Sequence, residues 1–301
     1  MSAGRVLVGT AGWSYADWNG PVYPLPRPRG FDELRYLASL VDCVEVNSTF
    51  YRVPTRETVA GWARRVAHRP GFLFTAKAHR SFTHGEEGEA GPADARAFLD
   101  ALAPLAEPGL LGALLLQFPW SFRDGPRSRA RIARLVEFLR GPPLVVEVRH
   151  ASFAAPGAEA FLAALGTGIA CVDMPAAASN LAPREERPGP VGYIRLHGRN
   201  AAAWFDPSAG RDRRFDYLYG AEEMDAVASR ARAFATVAPA TFVIANNHFR
   251  GQAAANALML RARLLGSPVP IPSELLGAFP SLSRDAAPAR AVGGAQGTLF
   301  R

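Results

Sequence analysis

The sequence predicts an α/β protein built as a single closed (β/α)8 barrel. Two observations carry that prediction. Short runs of Val, Leu and Ile alternate along the chain with longer amphipathic stretches, which is the rhythm of βα units around a parallel sheet. There are eight such runs in about 250 residues, the number that closes a barrel. With 301 residues, 49% of them hydrophobic and 20% charged, the chain can bury one large core. Nothing in the composition points to disorder or a fibrous repeat.

The apolar runs lie at 6–9, 43–46, 72–76, 111–116, 144–148, 169–172, 192–196 and 241–245. Helices between them are plainest where the spacing is clean. Ile132, Leu135, Val136 and Leu139 form one stripe, with Arg129, Arg131 and Arg134 on the wetter face. Met224, Val227, Ala231 and Phe234 repeat that spacing. Segment 173–190 contains Pro175, Pro183, Pro188 and Pro190, so an irregular loop is expected in place of helix six. Residues 1–282 are assigned to the barrel domain. Periodicity ends at Leu282, and residues 283–301 are expected to form a flexible tail.

No apolar run approaches the ~18–20 residues that span a bilayer, and Met1 to Arg5 lead into the first run without a signal-peptide core. A cytoplasmic protein with no membrane partner is expected. Cys43 and Cys171 fall on two different runs, which fits buried, reduced thiols better than a disulfide or a metal site. The net charge of +7 and pI near 10.0 favour a phosphate-bearing partner, either a small molecule or a nucleic acid, although an arginine-rich composition yields the same figure without one.

In such a barrel functional groups come from the carboxyl ends of the strands and the loops that follow. The ends here are unusually polar. Lys77 closes the third run and is the only lysine among 34 basic residues. An ε-amine can lose its proton and attack a carbonyl, which a guanidinium does not do; the other expectation for Lys77 is a buried ion pair with a carboxylate. Period-two alternation places Glu45 with Asn47, Glu147 with Arg149, and Tyr193 with Arg195 and His197. Gln117, His150, Asp173, Asn246, Asn247, and Trp13 and Tyr15 after the first run complete the rim. Lys77, Glu45, Glu147, Asp173 and His197 are the candidate catalytic groups. Trp13, Tyr15, Asn47, Gln117, Arg149, His150, Arg195, Asn246 and Asn247 are the candidate substrate contacts. The plainer alternative is that Glu45, Glu147 and Asp173 only neutralise Lys77, Arg149 and Arg195.

Five motifs also carry a family resemblance. They are Gly9-Thr10-Ala11-Gly12-Trp13-Ser14-Tyr15 with Trp18; Val44-Glu45-Val46-Asn47-Ser48-Thr49-Phe50-Tyr51; Glu147-Val148-Arg149-His150; Arg195-Leu196-His197-Gly198-Arg199; and Asn246-Asn247-His248 with Asn256-Ala257. Together they resemble the YecE-like family, domain of unknown function 72, over residues 5–265. The resemblance implies a TIM-type barrel distantly similar to sugar isomerases and apurinic-site endonucleases. It brings no established reaction.

Three chemistries suit the rim. Metal-assisted hydrolysis would draw on Glu45, Glu147, Asp173, His150 and His197, but no His-x-His or His-Glu-x-x-His spacing occurs, and a divalent metal is not favoured. No organic cofactor is expected. In the second, Lys77 forms a Schiff base with a sugar phosphate or abasic deoxyribose, and the carboxylates move protons. In the third, Lys77 only polarises an oxygen while a proton is abstracted. A non-enzymatic alternative is nucleic-acid binding. Segment 204–219 interleaves Trp204, Phe205, Phe215, Tyr217 and Tyr219 with Arg211, Arg213 and Arg214, and serves equally as a lid. In the tail, Gln296-Gly297-Thr298-Leu299-Phe300 resembles the motif by which bacterial replication and repair proteins dock on the DNA sliding clamp, with Gln296, Leu299 and Phe300 as contacts.

Overall fold

The computed structural model describes residues 4–177, 179–182, 189–206 and 208–287, and of Arg211 the backbone alone. Nine strands form one all-parallel sheet: β1 (Arg5–Ala11), β2 (Cys43–Val46), β3 (Leu73–Lys77), β4 (Leu111–Gln117), β5 (Leu144–Glu147), β6 (Gly168–Ile169), β7 (Cys171–Asp173), β8 (Gly192–Leu196) and β9 (Ala240–Ala245). Their order, β6-β5-β4-β3-β2-β1-β9-β8-β7, wraps the sheet into a nearly closed barrel. Only Ala170 separates the two end strands, so the sixth run of the sequence is observed as two strands. The ladder changes partner there. Ala170 N–H still donates to Val146 of β5 at 2.9 Å, whereas Cys171 is in register with Ile194 of β8.

Alternation sorts each strand into two cores. Inside the barrel Leu7, Ala113, Val145, Tyr193, Phe242 and Ile244 belong to one cluster, while Val44, Phe74, Leu114 and Val146 face a larger one shared with the helices. A fully buried side chain of this size contributes ~1.5–3 kcal/mol. The expected stripes are seated as read. Ile132 and Leu135 are buried in the helix Pro126–Phe138, and Met224, Val227, Ala231 and Phe234 in Ala221–Ala235. Strand contact is close at Gly9, where a Cβ would stand 1.9 Å from the Cys43 carbonyl oxygen. Both cysteines are buried and neither is in a disulfide.

Between β7 and β8 the described residues contain no helix, as the prolines require. Residues 283–287, counted with the tail on sequence grounds, fasten to the body. Arg263 Nη1 donates to Asp285 Oδ1 at 2.9 Å, and Ala286 bridges to Val269. The rest of the tail, with Gln296, Leu299 and Phe300, lies outside the described residues. Among the described residues no helix is long and apolar enough to cross a membrane.

Candidate active site

At the carboxyl end of the barrel the interior changes from apolar to ionic. Two residues above Tyr193 on β8, Arg195 is 2% exposed and spans the barrel. Its Nη2 donates to Glu45 Oε1 at 2.6 Å and its Nε to Glu45 Oε2 at 3.0 Å, while Nη1 donates to Glu147 Oε2 at 2.8 Å. Arg149 Nε donates to the other oxygen of Glu147 at 2.7 Å. Tyr193 Oη donates to Glu45 Oε2 at 2.8 Å and shares a 2.7 Å contact with Thr75 Oγ1. Both carboxylates have no exposed surface. Burial by itself pushes the Glu147 carboxyl up, but Arg195 and Arg149 outweigh it and hold it well below the usual range. The two carboxylates and two guanidiniums cancel in charge, forming a rigid neutral floor.

Above this floor a cavity of about 460 Å³ opens at the strand ends. Its lining holds Lys77, Arg149, Arg195, His197 and His248, and no Asp or Glu. Lys77 Nζ sits 3.7 Å from the centre of the Phe50 ring. Among the described residues it has no ion pair, so the expected pairing with a carboxylate does not form. Burial, reinforced by Arg195, brings its pKa down to about 7 against the partial opposition of Glu147. His197 is held well below its ordinary value by burial and then by Arg195 and Arg149, so it is neutral. Asn246 Nδ2 stands 2.7 Å from His197 Nδ1. With that amide donating, the imidazole proton is on Nε2, 3.4 Å from Arg149 Nη2. In that tautomer His197 Nε2 and Arg149 Nη2 are both donors.

Of the expected residues, Trp13, Tyr15, Asn47, Lys77, Gln117, Arg149, Arg195, His197 and Asn246 line the cavity. Glu45 and Glu147 lie in the floor with their oxygens engaged by Arg and Tyr. Three residues are elsewhere. Asp173 accepts from Arg199 Nε and Nη2 at 2.8 and 2.6 Å and from Tyr219 Oη at 2.8 Å, which makes it an anchor for the loop after β8. His150 accepts from Ser152 N at 3.1 Å and caps the turn Ala151–Ala154. Asn247 donates to Tyr217 O and Asn256 Oδ1, both at 2.8 Å, and stays internal.

Phe50, Tyr51, Phe215 and His248 extend the expected set. Phe50 and Tyr51 belong to the helical turn Ser48–Tyr51, where strand alternation gives no signal. His248 stacks on Tyr15 at 4.6 Å and lies 5.1 Å from Phe215. Segment 204–219 thus reaches the cavity through Phe215, while Tyr219 is buried and Tyr217 Oη donates to Glu223. Among the described residues no three His, Cys, Asp or Glu side chains could share a metal ion.

These features define an α/β barrel-like protein with a cation-lined pocket at the carboxyl ends of its strands. The chain belongs to the family described as protein of unknown function DUF72, whose model matches residues 7–274. It is 27% identical over 266 residues to YunF of Bacillus subtilis, covering 83% of this chain and 92% of that protein. It is 29% identical over 155 residues to YecE of Escherichia coli K12, about half of each chain (51% and 52%). A DUF72 family structure from Thermotoga maritima superposes with a TM-score of 0.76 at 31% identity, covering 86% of this chain and 99% of that one. One from Enterococcus faecalis gives 0.77 at 26% identity, covering 89% and 100%.

Proposed function

We propose that the cavity is the active site of an enzyme acting on an anionic carbonyl compound, a sugar phosphate that is either free or part of a nucleic acid, with Lys77 as the nucleophile. β6 and β7 are read as halves of one strand, which makes the scaffold an eight-stranded TIM-type barrel with its site at the usual end. The observation that carries the reading is a single amine set against the Phe50 ring in a cavity lined by cations, without a carboxylate partner among the described residues and with its pKa lowered to about 7.

At neutral pH a large fraction of Lys77 is the free amine. Nζ adds to the carbonyl carbon, and the carbonyl oxygen leaves as water with the two amine protons, giving an imine. Arg149 and His197 Nε2–H donate to that oxygen or to the ligand's anionic group as charge gathers there. The imine withdraws electrons from the adjacent carbon, which serves lyase or isomerase chemistry. A cavity of this size falls within the ~300–1,000 Å³ of small-molecule sites.

The test is borohydride trapping. Protein mixed with small sugar phosphates, or with an oligonucleotide carrying an abasic site, is reduced and its mass measured. The expected result is one adduct per chain, on Lys77. Absence of any adduct across the panel overturns the imine step.

A further inference from the structure

Every strongly exposed aromatic side chain among the described residues lies at the cavity end of the barrel: Tyr51 at 62%, Trp120 at 43% and Phe205 at 52%. The other strongly exposed hydrophobic side chains, Leu25, Val53, Val237 and Leu265, are aliphatic and lie at both ends. Each exposed aromatic follows a different strand, and in the sheet order β4 and β2 are two positions apart and β2 and β8 three. The three rings therefore flank the mouth from separate sides. Each is joined inward to the site. Tyr51 meets Phe50 at 5.1 Å, the ring on which Lys77 rests. Trp120 packs on His150 at 5.4 Å, next to Arg149. Phe205 follows Trp204, whose ring is 5.9 Å from His197.

Each ring also has an exposed guanidinium close by in sequence: Arg52, Arg123 and Arg213. Among the described residues none of the three is within ion-pair distance of a carboxylate, although Arg213 lies near enough to Asp206 to help lower its carboxyl. Some surface arginines are engaged, as in Arg27 with Glu33, Arg65 with Asp32 and Arg129 with Asp124, and the lack of an ion pair is shared by others such as Arg64, Arg96 and Arg127 among the described residues. Arg123 lies near enough to His150 to lower its pKa, behind burial as the larger cause, so ring and charge share one patch at Trp120. Apolar faces set between unpaired cations suit an extended polyanion that carries flat groups. Of the three rings only Tyr51 lines the cavity itself.

We infer that the mouth is a binding platform for single-stranded nucleic acid, with bases stacked on Tyr51, Trp120 and Phe205 and phosphates met by Arg52, Arg123 and Arg213. The inference rests on the proposed reading of the cavity, and names the source of its sugar phosphate as a unit of that strand. Acidic oligosaccharides also stack on aromatic rings. The net charge of +7 suits either polyanion, and the oligosaccharide arm of the test separates them.

The test is fluorescence anisotropy of labelled oligothymidylate with the full chain over a salt series, beside an acidic oligosaccharide of matched length. Binding should weaken linearly in log affinity against log salt. Each of Tyr51→Ala, Trp120→Ala and Phe205→Ala should weaken it about tenfold, within the range for one base–aromatic stack. The double variant Trp120→Ala/Phe205→Ala should leave borohydride trapping of small sugar phosphates unchanged. No binding at low salt, binding indifferent to the aromatic variants, or an equal aromatic-dependent affinity for the oligosaccharide overturns the inference. Oligonucleotide binding that needs the three rings in a protein that traps no carbonyl compound upholds the platform and retires the imine.

Discussion

Arg195 and Glu45 meet side-on across the barrel interior, with Nη2 2.6 Å from Oε1 and Nε 3.0 Å from Oε2, and both side chains are buried. Since Arg195 also holds Glu147, one guanidinium fixes both carboxylates and leaves Lys77 above them without an ion pair among the described residues.

Removing either member of that pair strands a buried charge. Arg195→Met or Glu45→Ala should lower the free energy of unfolding by ~3–5 kcal/mol in urea titrations. Arg195→Lys should do little better, because an ammonium does not reproduce the planar fork that engages both carboxylates. A change under 1 kcal/mol would mean the floor is solvated.

Asp173 provides a contrast between anchoring and catalysis. Asp173→Asn weakens its contacts with Arg199 and Tyr219 and should cost about 1–3 kcal/mol of stability. Trapping by Lys77 should persist at the wild-type rate per folded molecule. A hundredfold loss of trapping without loss of stability would return Asp173 to the chemistry.

Stability should also carry the signature of Lys77. Below pH 7 both folded and unfolded chains hold its proton, and the cost of burying the charge is fully felt. Between about 7 and the ordinary 10.5 only the unfolded chain holds it, so stability rises with pH through that window. Compared with Lys77→Met, the wild type should gain about 1.4 kcal/mol per pH unit there. Urea unfolding of both proteins at pH 6, 8 and 9.5 measures the difference, and parallel profiles would contradict it.

Much of this was legible in the residues, for physical reasons that also mark the limit. Strand ends advertise themselves because alternation forces Glu45 and Asn47, or Arg195 and His197, onto one face. Alternation does not say which carboxylate meets which guanidinium. Asp173 looked equivalent to Glu45 and Glu147, yet Arg199, four residues beyond Arg195, claims it from the following loop. Phe50 escaped because the chain turns helical at Ser48, where period two no longer applies. The break at Ala170 reflects a change of ladder partner, which a continuous apolar run does not encode.

The tail motif makes a separate prediction. A peptide of residues 288–301 should bind a purified bacterial sliding clamp, with Leu299→Ala/Phe300→Ala weakening it at least tenfold, because two adjacent apolar side chains fill one pocket. Equal signals from both peptides in calorimetry would remove the clamp as a partner.

The central claim concerns one nitrogen, and the chain's single lysine makes it directly observable. Protein labelled with ¹⁵N only at lysine should give one side-chain ammonium or amine resonance by NMR, without assignment. A titration midpoint near 7 is expected, moving upward when inorganic phosphate enters the cavity and stabilises the protonated form. A midpoint at the ordinary lysine value of 10.5, indifferent to phosphate, would contradict it.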